Sequence, residues 1–144
     1  MNFSRGRDAD LEFENRWQDF EEYVLKIVLS FGVEADFRKV FFNDVRKFEI
    51  DVVGYWDCFC LCVDCKLYGG GRHRVSSLRK EAEKHVLRCA EFEKTAGKKC
   101  VPVLVTLLDD DICFKFGCLV VPYYKFNCFL NDIEEFVEIE HQVL

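Results

Sequence analysis

The stretch from Phe48 to Lys66, FEIDVVGYWDCFCLCVDCK, leaves the chain few ways to fold. Two apolar runs, Phe48 to Trp56 and Phe59 to Leu67, read as strands, and the connection near Asp57 is short enough for a hairpin. Alternation gives Cys58, Cys60, Cys62, Asp64 and Lys66 one face of the second strand and Phe59, Leu61, Val63 and Cys65 the other. A turn centred on Asp57 and Cys58 sets Asp51 opposite Asp64 on a common face, with Cβ atoms roughly 4.5–5.5 Å apart. A one-residue slip would destroy that pairing.

The flanking chain completes an α/β pattern. From Arg16 to Phe31 the residues Trp17, Phe20, Tyr23, Val24, Ile27, Val28 and Phe31 recur at three and four, one stripe of an amphipathic helix that Gly32 stops. A further strand is expected around Phe37 to Phe42. Gly69, Gly70 and Gly71 form a loop, and Val75 to Phe92 returns to helical spacing with Leu78, Ala82, Val86, Leu87 and Ala90 inward. Val101 to Leu108 is a continuous apolar run and reads as a buried central strand. A turn at Asp109 to Asp111, a strand over Ile112 to Val121 and a short helix over Phe126 to Val137 follow. Residues 1–15 are polar and read as an arm. With 144 residues, half of them apolar, and no repeat, the chain is expected to form a single domain over 1–144. Its class is an α/β sandwich, a central mixed sheet flanked by helices.

The net charge of −6 counts against a general nucleic-acid binder. The distribution is uneven, however: acids crowd Asp8 to Glu22 and Asp132 to Glu140, while Lys and Arg crowd Arg38 to Lys47 and Lys66 to Lys84. The start has no signal-peptide pattern, and the longest apolar run, Cys100 to Leu108, is far short of the ~20 residues that span a bilayer. An intracellular, reduced protein without a membrane segment is the simplest reading. Its nine cysteines (Cys58, Cys60, Cys62, Cys65, Cys89, Cys100, Cys113, Cys118 and Cys128) then act as small buried hydrophobes. A zinc or iron–sulfur site is the rival, but cysteines along one strand face lie ~6.5–7 Å apart per step and Cys65 faces away. Cys100 and Cys118 are the candidates for pairing under oxidising conditions, with no register that supplies a partner.

Two carboxylates at cross-strand distance either share a proton or bind a hard divalent cation. Two carboxylates, a nearby carbonyl and waters suit Mg²⁺ or Mn²⁺. Lys66 adds a cation at the rim, able to polarise an attacking water or neutralise charge on a phosphate. Asp51, twelve residues, then Asp64-Cys65-Lys66 resembles the signature of the PD-(D/E)XK nucleases, which include restriction enzymes, archaeal Holliday-junction resolvases and Mrr-type endonucleases. The segment Phe20-Glu21-Glu22-Tyr23-Val24 resembles the "FE" helix of the resolvase and Mrr-like branches, which implies Glu21, with Glu22 as the reserve, at the metal site.

The resemblance implies a restriction-endonuclease-like fold and a metal-dependent DNA endonuclease, with a homodimer compatible with resolvase-like relatives. Asp51, Asp64, Lys66 and Glu21 would be catalytic, and Asp51, Asp64, the Cys65 carbonyl and Glu21 would hold Mg²⁺ or Mn²⁺. Arg72, His73, Arg74, Arg79, Lys80 and Lys84 are placed to hold DNA phosphates, which position a nucleic acid without reading its sequence. Glu81 and Glu83 read as solvated i,i+4 partners, and His85 and His141 carry no signal. The rivals are a nuclease-fold module that binds DNA without cutting it and a thiol-based metal or redox protein.

Overall fold

The computed structural model describes residues 17–67, 74–107 and 111–137. The first helix, α1 (Trp17–Leu29), buries Phe20, Val24 and Val28, and Gly32 beyond its end takes a φ of 78°. That left-handed backbone is the one glycine supplies most cheaply after a helix. A meander follows: β1 (Glu34–Phe42), β2 (Lys47–Tyr55) and β3 (Phe59–Lys66), antiparallel throughout. Asn43 closes the first turn, its Oδ1 accepting the backbone amides of Val45 and Arg46 at 2.9 Å each. The second turn is the two-residue connection Asp57–Cys58, closed by the Trp56 amide donating to the Phe59 carbonyl at 2.9 Å.

From β3 the chain crosses through α2 (Arg74–Ala96) to β4 (Lys99–Thr106), which pairs parallel with β3. The hairpin of β5 (Cys113–Lys115) and β6 (Cys118–Pro122) then adds β6 parallel to β4. A 3₁₀ turn (Tyr123–Lys125) leads into α3 (Phe126–Asn131), and 133–137 is again helical. Among the described residues the strands form one six-stranded mixed sheet in the order β1-β2-β3-β4-β6-β5.

Each face of the sheet carries its own core. One layer packs Phe20, Val24 and Val28 of α1 and Phe126, Phe129 and Leu130 of α3 over Val52, Leu61, Val63, Val103 and Val105. The other packs α2 over Cys60, Cys62, Cys100, Leu104 and Val120. This is the expected α/β sandwich, with helices on both faces of a mixed sheet. No helix among the described residues is long and apolar enough to cross a membrane.

Three expectations need correction. The stretch Ile112 to Val121 is two strands, because Phe116 (φ 55°) and Gly117 (φ 85°) reverse the chain as a two-residue hairpin turn. The last helix is interrupted at Asp132, whose backbone (φ −112°, ψ 24°) leaves helical geometry. The inner face of α2 runs Leu78, Ala82, His85, Cys89 and Phe92; Val86 packs at its side, Leu87 is 68% exposed and Ala90 is also outside. Expected residues 1–15, the glycine loop and the turn at 109–110 lie outside the described residues.

Candidate functional site

The β2–β3 ladder runs from Tyr55 opposite Cys60 to Val52 opposite Val63, and the next rung in that register is Asp51 with Asp64. Strand alternation breaks at this point. Ile50 and Val53, three residues apart, both pack on the α2 layer, whereas Val52 packs on the α1 layer. The neighbouring ladder shows the same interruption from its other side. β1 and β2 pair on either side of Arg38 and Asp51, but that rung is missing, and Arg38 has a φ of 55°. A distortion of this kind re-aims side chains that regular alternation would send elsewhere.

Asp51 Oδ2 accepts the backbone amide of Cys65 at 2.8 Å. Burial, and then the Asp64 carboxylate, raise its pKa to about 8, so Asp51 keeps a proton at neutral pH. Asp64, only 4% exposed, moves the other way. Burial opposes its ionisation, but the Lys66 ammonium, the Asp51 hydrogen bond and the Arg88 guanidinium outweigh burial and lower its pKa. The pair therefore holds one proton, on Asp51, and one charge, on Asp64.

Lys66 Nζ lies 3.1 Å from Asp64 Oδ2 and 2.8 Å from Glu81 Oε1. Burial alone would lower the Lys66 pKa, but the two carboxylates raise it, so the ammonium stays charged. The Lys66 ammonium is thus the ion-pair partner of the buried Asp64 Oδ2. Glu81 is therefore part of the site and no solvated helix residue, with its pKa lowered chiefly by the Lys66 hydrogen bond.

Beneath Asp64, His85 is fully buried. Its Nε2 lies 2.9 Å from the Cys62 carbonyl and must carry the hydrogen, while Nδ1 lies 3.1 Å from Arg88 Nη1 and must accept. Both contacts fit the neutral ring, and burial lowers the His85 pKa in the same sense. The cationic weight on Asp64 thus falls on Lys66 and on Arg88, whose Nη1 is 3.7 Å from Asp64 Oδ1.

On the α1 side Glu21 is buried although charged. Arg38 donates to its Oε1 through Nε at 3.1 Å and Nη2 at 2.8 Å, and the Trp17 indole donates to Oε2 at 2.8 Å. Its charge acts on Asp51, so the two carboxyl groups are electrostatic neighbours.

Hard oxygen donors and a buried carboxyl pair that must otherwise hold a proton fit a divalent cation, with the Lys66 ammonium already at Asp64 Oδ2. Asp51 and Asp64 would be its carboxylate ligands; Cys65 meets the pair through its amide, which donates to Asp51. Among the described residues no group of three or more His, Cys, Asp or Glu side chains is arranged to hold a metal, so waters would complete the shell.

No family model matches this sequence. An uncharacterized protein of Archaeoglobus fulgidus is 44% identical over 118 residues, spanning 82% of this chain and 92% of that protein. The chain belongs to that archaeal protein's family. Among solved structures, the protein of unknown function AF1548 aligns with a TM-score of 0.46 and 20% identity over 60% of this chain. Protein VC1899 from Vibrio cholerae aligns with a TM-score of 0.42 and 11% identity over 84% of it. The chain spans 46% and 33% of those two proteins, respectively.

In this family member Asp51, Asp64 and Lys66 come together at the end of the β2–β3 hairpin, Glu21 reaches Asp51 only through its charge, and Glu22 is exposed. Arg79, Lys80 and Lys84 are exposed on α2; Arg79 pairs with Glu83 at 3.5 Å. Lys80 and Lys84 join Lys66, Ser77 and Glu81 around an open cleft of ≈ 360 Å³. Arg72 and His73 lie outside the described residues, as does the side chain of Arg74. All nine cysteines are free; Cys58, in the hairpin turn, and Cys128, on the outer side of α3, are exposed and so depart from the buried role expected of them. Sequence reasoning missed His85, Arg88, Glu81 and Arg38. For His85 a signal existed: Leu78, Ala82, His85, Cys89 and Phe92 follow one another at intervals of four and three.

Proposed function

We propose that the chain is a metal-dependent endonuclease of the PD-(D/E)XK type, hydrolysing phosphodiester bonds in DNA. The observation that carries this reading is the buried, electrostatically coupled pair Asp51 and Asp64 with the Lys66 ammonium 3.1 Å from Asp64 Oδ2. A bound Mg²⁺ or Mn²⁺ would supply Lewis acidity at a phosphate oxygen and a water of lowered pKa. Asp51, held by the Cys65 amide, would have to be ionised to ligate such an ion, because a ligating carboxylate is deprotonated. Lys66 acts as a cation and not as a base: Glu81 and Asp64 keep it protonated, ready to offset charge that builds on the phosphate. Glu21 completes the acidic set, and Arg79, Lys80 and Lys84 offer contacts to the DNA backbone. Nine free thiols support an intracellular setting.

A second reading, a nuclease-fold module that binds DNA without cutting, draws on one observation. Both Glu21 oxygens are occupied, by Arg38 and Trp17, while Lys66 and Arg88 already offset the charge of Asp64.

The deciding experiment incubates supercoiled plasmid and branched DNA with the protein in Mg²⁺ or Mn²⁺, beside Asp64→Ala and Lys66→Ala. Cleavage by the wild type that falls about 100-fold or more in both variants is the expected result. Equal background nicking by all three sinks the nuclease reading, and retention of uncut DNA in the same samples selects the binding module.

A further inference from the structure

Arg38 has a backbone that an arginine rarely accepts. Its φ of 55° lies in the left-handed region, where side chains other than glycine, asparagine and aspartate are strained. It does so in the middle of a nine-residue strand, at the one position between Glu34 and Phe42 where the ladder to β2 loses a rung. Such strain persists only where the surroundings enforce it.

The distortion has a definite product. Phe37 packs on the α1 layer, so regular alternation would send Arg38 to the opposite face. Instead the guanidinium lies on the α1 side, stacked 4.7 Å from the Phe37 ring centroid and donating through two nitrogens to Glu21 Oε1. Directly across the interrupted ladder stands Asp51.

We infer that Arg38 is a positioning residue: β1 holds a left-handed arginine so that its guanidinium fixes the Glu21 carboxylate beside Asp51. Arg38 acts through Glu21 and not on the substrate. Two guanidinium nitrogens converge on Oε1 while the Trp17 indole holds Oε2, so the carboxylate is fixed at both oxygens. The catalytic side of this inference rests on the nuclease reading; the structural side does not.

The test is a double-mutant cycle in thermal unfolding, with Arg38→Gly and Glu21→Gln made singly and together. In the wild-type background Arg38→Gly relieves the backbone but strands a buried carboxylate, and Tm falls by roughly 5 °C or more. In the Glu21→Gln background the strain serves nothing, so the same change alters Tm by no more than ~1 °C or raises it, the lost Phe37 stack being offset by the eased backbone. Should the glycine variant fail to fold, Arg38→Asn, which also tolerates the left-handed region, repeats the cycle. Equal losses in both backgrounds overturn the inference, because Arg38 would then be supporting the sheet on its own account.

Plasmid cleavage gives the second readout. Each single substitution is expected to lower kcat about tenfold or more with KM little changed, and the double variant is no slower than the slower single one. Losses that multiply in the double variant overturn the role through Glu21. A wild type that does not cleave removes the nuclease reading alone, since the thermal cycle still decides whether Arg38 is strained on behalf of Glu21.

Discussion

At Asp51 a carboxyl group loses its water to burial and faces a second carboxylate, while at Asp64 the same chemistry is surrounded by Lys66 and Arg88. The two acids therefore make opposite contributions to the pH dependence of folding. Asp51 titrates at about 8 in the fold against ~4 in an unfolded chain, so the folded state binds the extra proton between those values. Its contribution to stability falls as pH rises from ~4 to ~8. Asp64, with a lowered pKa, contributes stability at neutral pH that is lost only as acid protonates it below the usual carboxylate range. Without added metal, Asp51 alone is expected to cost about 3–4 kcal/mol between pH 5 and pH 8 in urea titrations, offset in part below ~6.5 by His85, whose lowered pKa adds stability as pH rises. Asp51→Asn mimics the protonated acid and keeps an acceptor for the Cys65 amide, so it should flatten that slope. An unchanged slope would place the shared proton elsewhere. At this scale three residues were legible in advance. A two-residue turn fixes the register that sets Asp51 opposite Asp64, and parity puts Lys66 on the Asp64 face, although alternation in β2 breaks at Asp51 itself. Arg38 was illegible for the opposite reason: nothing in Phe37-Arg38-Lys39 announces a left-handed residue inside a strand.

Among the elements, α2 has the most work to do. It crosses between the parallel strands β3 and β4, covers one face of the sheet, and sends Glu81, His85 and Arg88 toward Lys66 and Asp64. Its inward stripe steps by four and three through Leu78, Ala82, His85, Cys89 and Phe92, so the buried face includes a histidine that apolar counting passes over. Reading apolar letters instead brings Leu87 inward, where the structure has it in solvent. Leu87→Lys should leave stability within about 0.5 kcal/mol, whereas Phe92→Ala should cost about 3 kcal/mol or more through the cavity it leaves. His85→Leu strands the Cys62 carbonyl and should cost about 1–3 kcal/mol. Chemical denaturation of the three variants checks the assignment, and a large loss at Leu87 would mean that α2 is rotated about its axis. The β5–β6 hairpin shows a different limit of sequence reading. Its turn places a phenylalanine at the first left-handed position, where asparagine or aspartate would have advertised it.

At the scale of the whole molecule, the described residues form an α/β sandwich in which most thiols are packing atoms. Cys60, Cys62, Cys65, Cys89, Cys100 and Cys118 are buried, and burial raises the pKa of Cys60, Cys65 and Cys89, which suppresses the reactive thiolate. Alkylation of the native protein followed by mass analysis should modify Cys58 and Cys128 quickly, Cys113 more slowly, and the buried six only on unfolding. Fast labelling at Cys62 or Cys65 would show that the sheet opens beside Asp64. The layered architecture was legible because amphipathic helices and continuous apolar strands each declare the faces they bury, whereas the pairing of Glu81 with Lys66 depends on a crossover that no local pattern encodes.

The meander has a further consequence. Glu21, Arg38, Asp51, Asp64 and Lys66 all come from α1 and the first three strands, between positions 21 and 66, and among the described residues Glu81, His85 and Arg88 reach them from the crossover helix α2. The chemical inheritance of this fold is thus concentrated in one contiguous piece. Descendants could exchange β5, β6 and α3 for other lengths and surfaces, and so acquire new partners, without disturbing the acids.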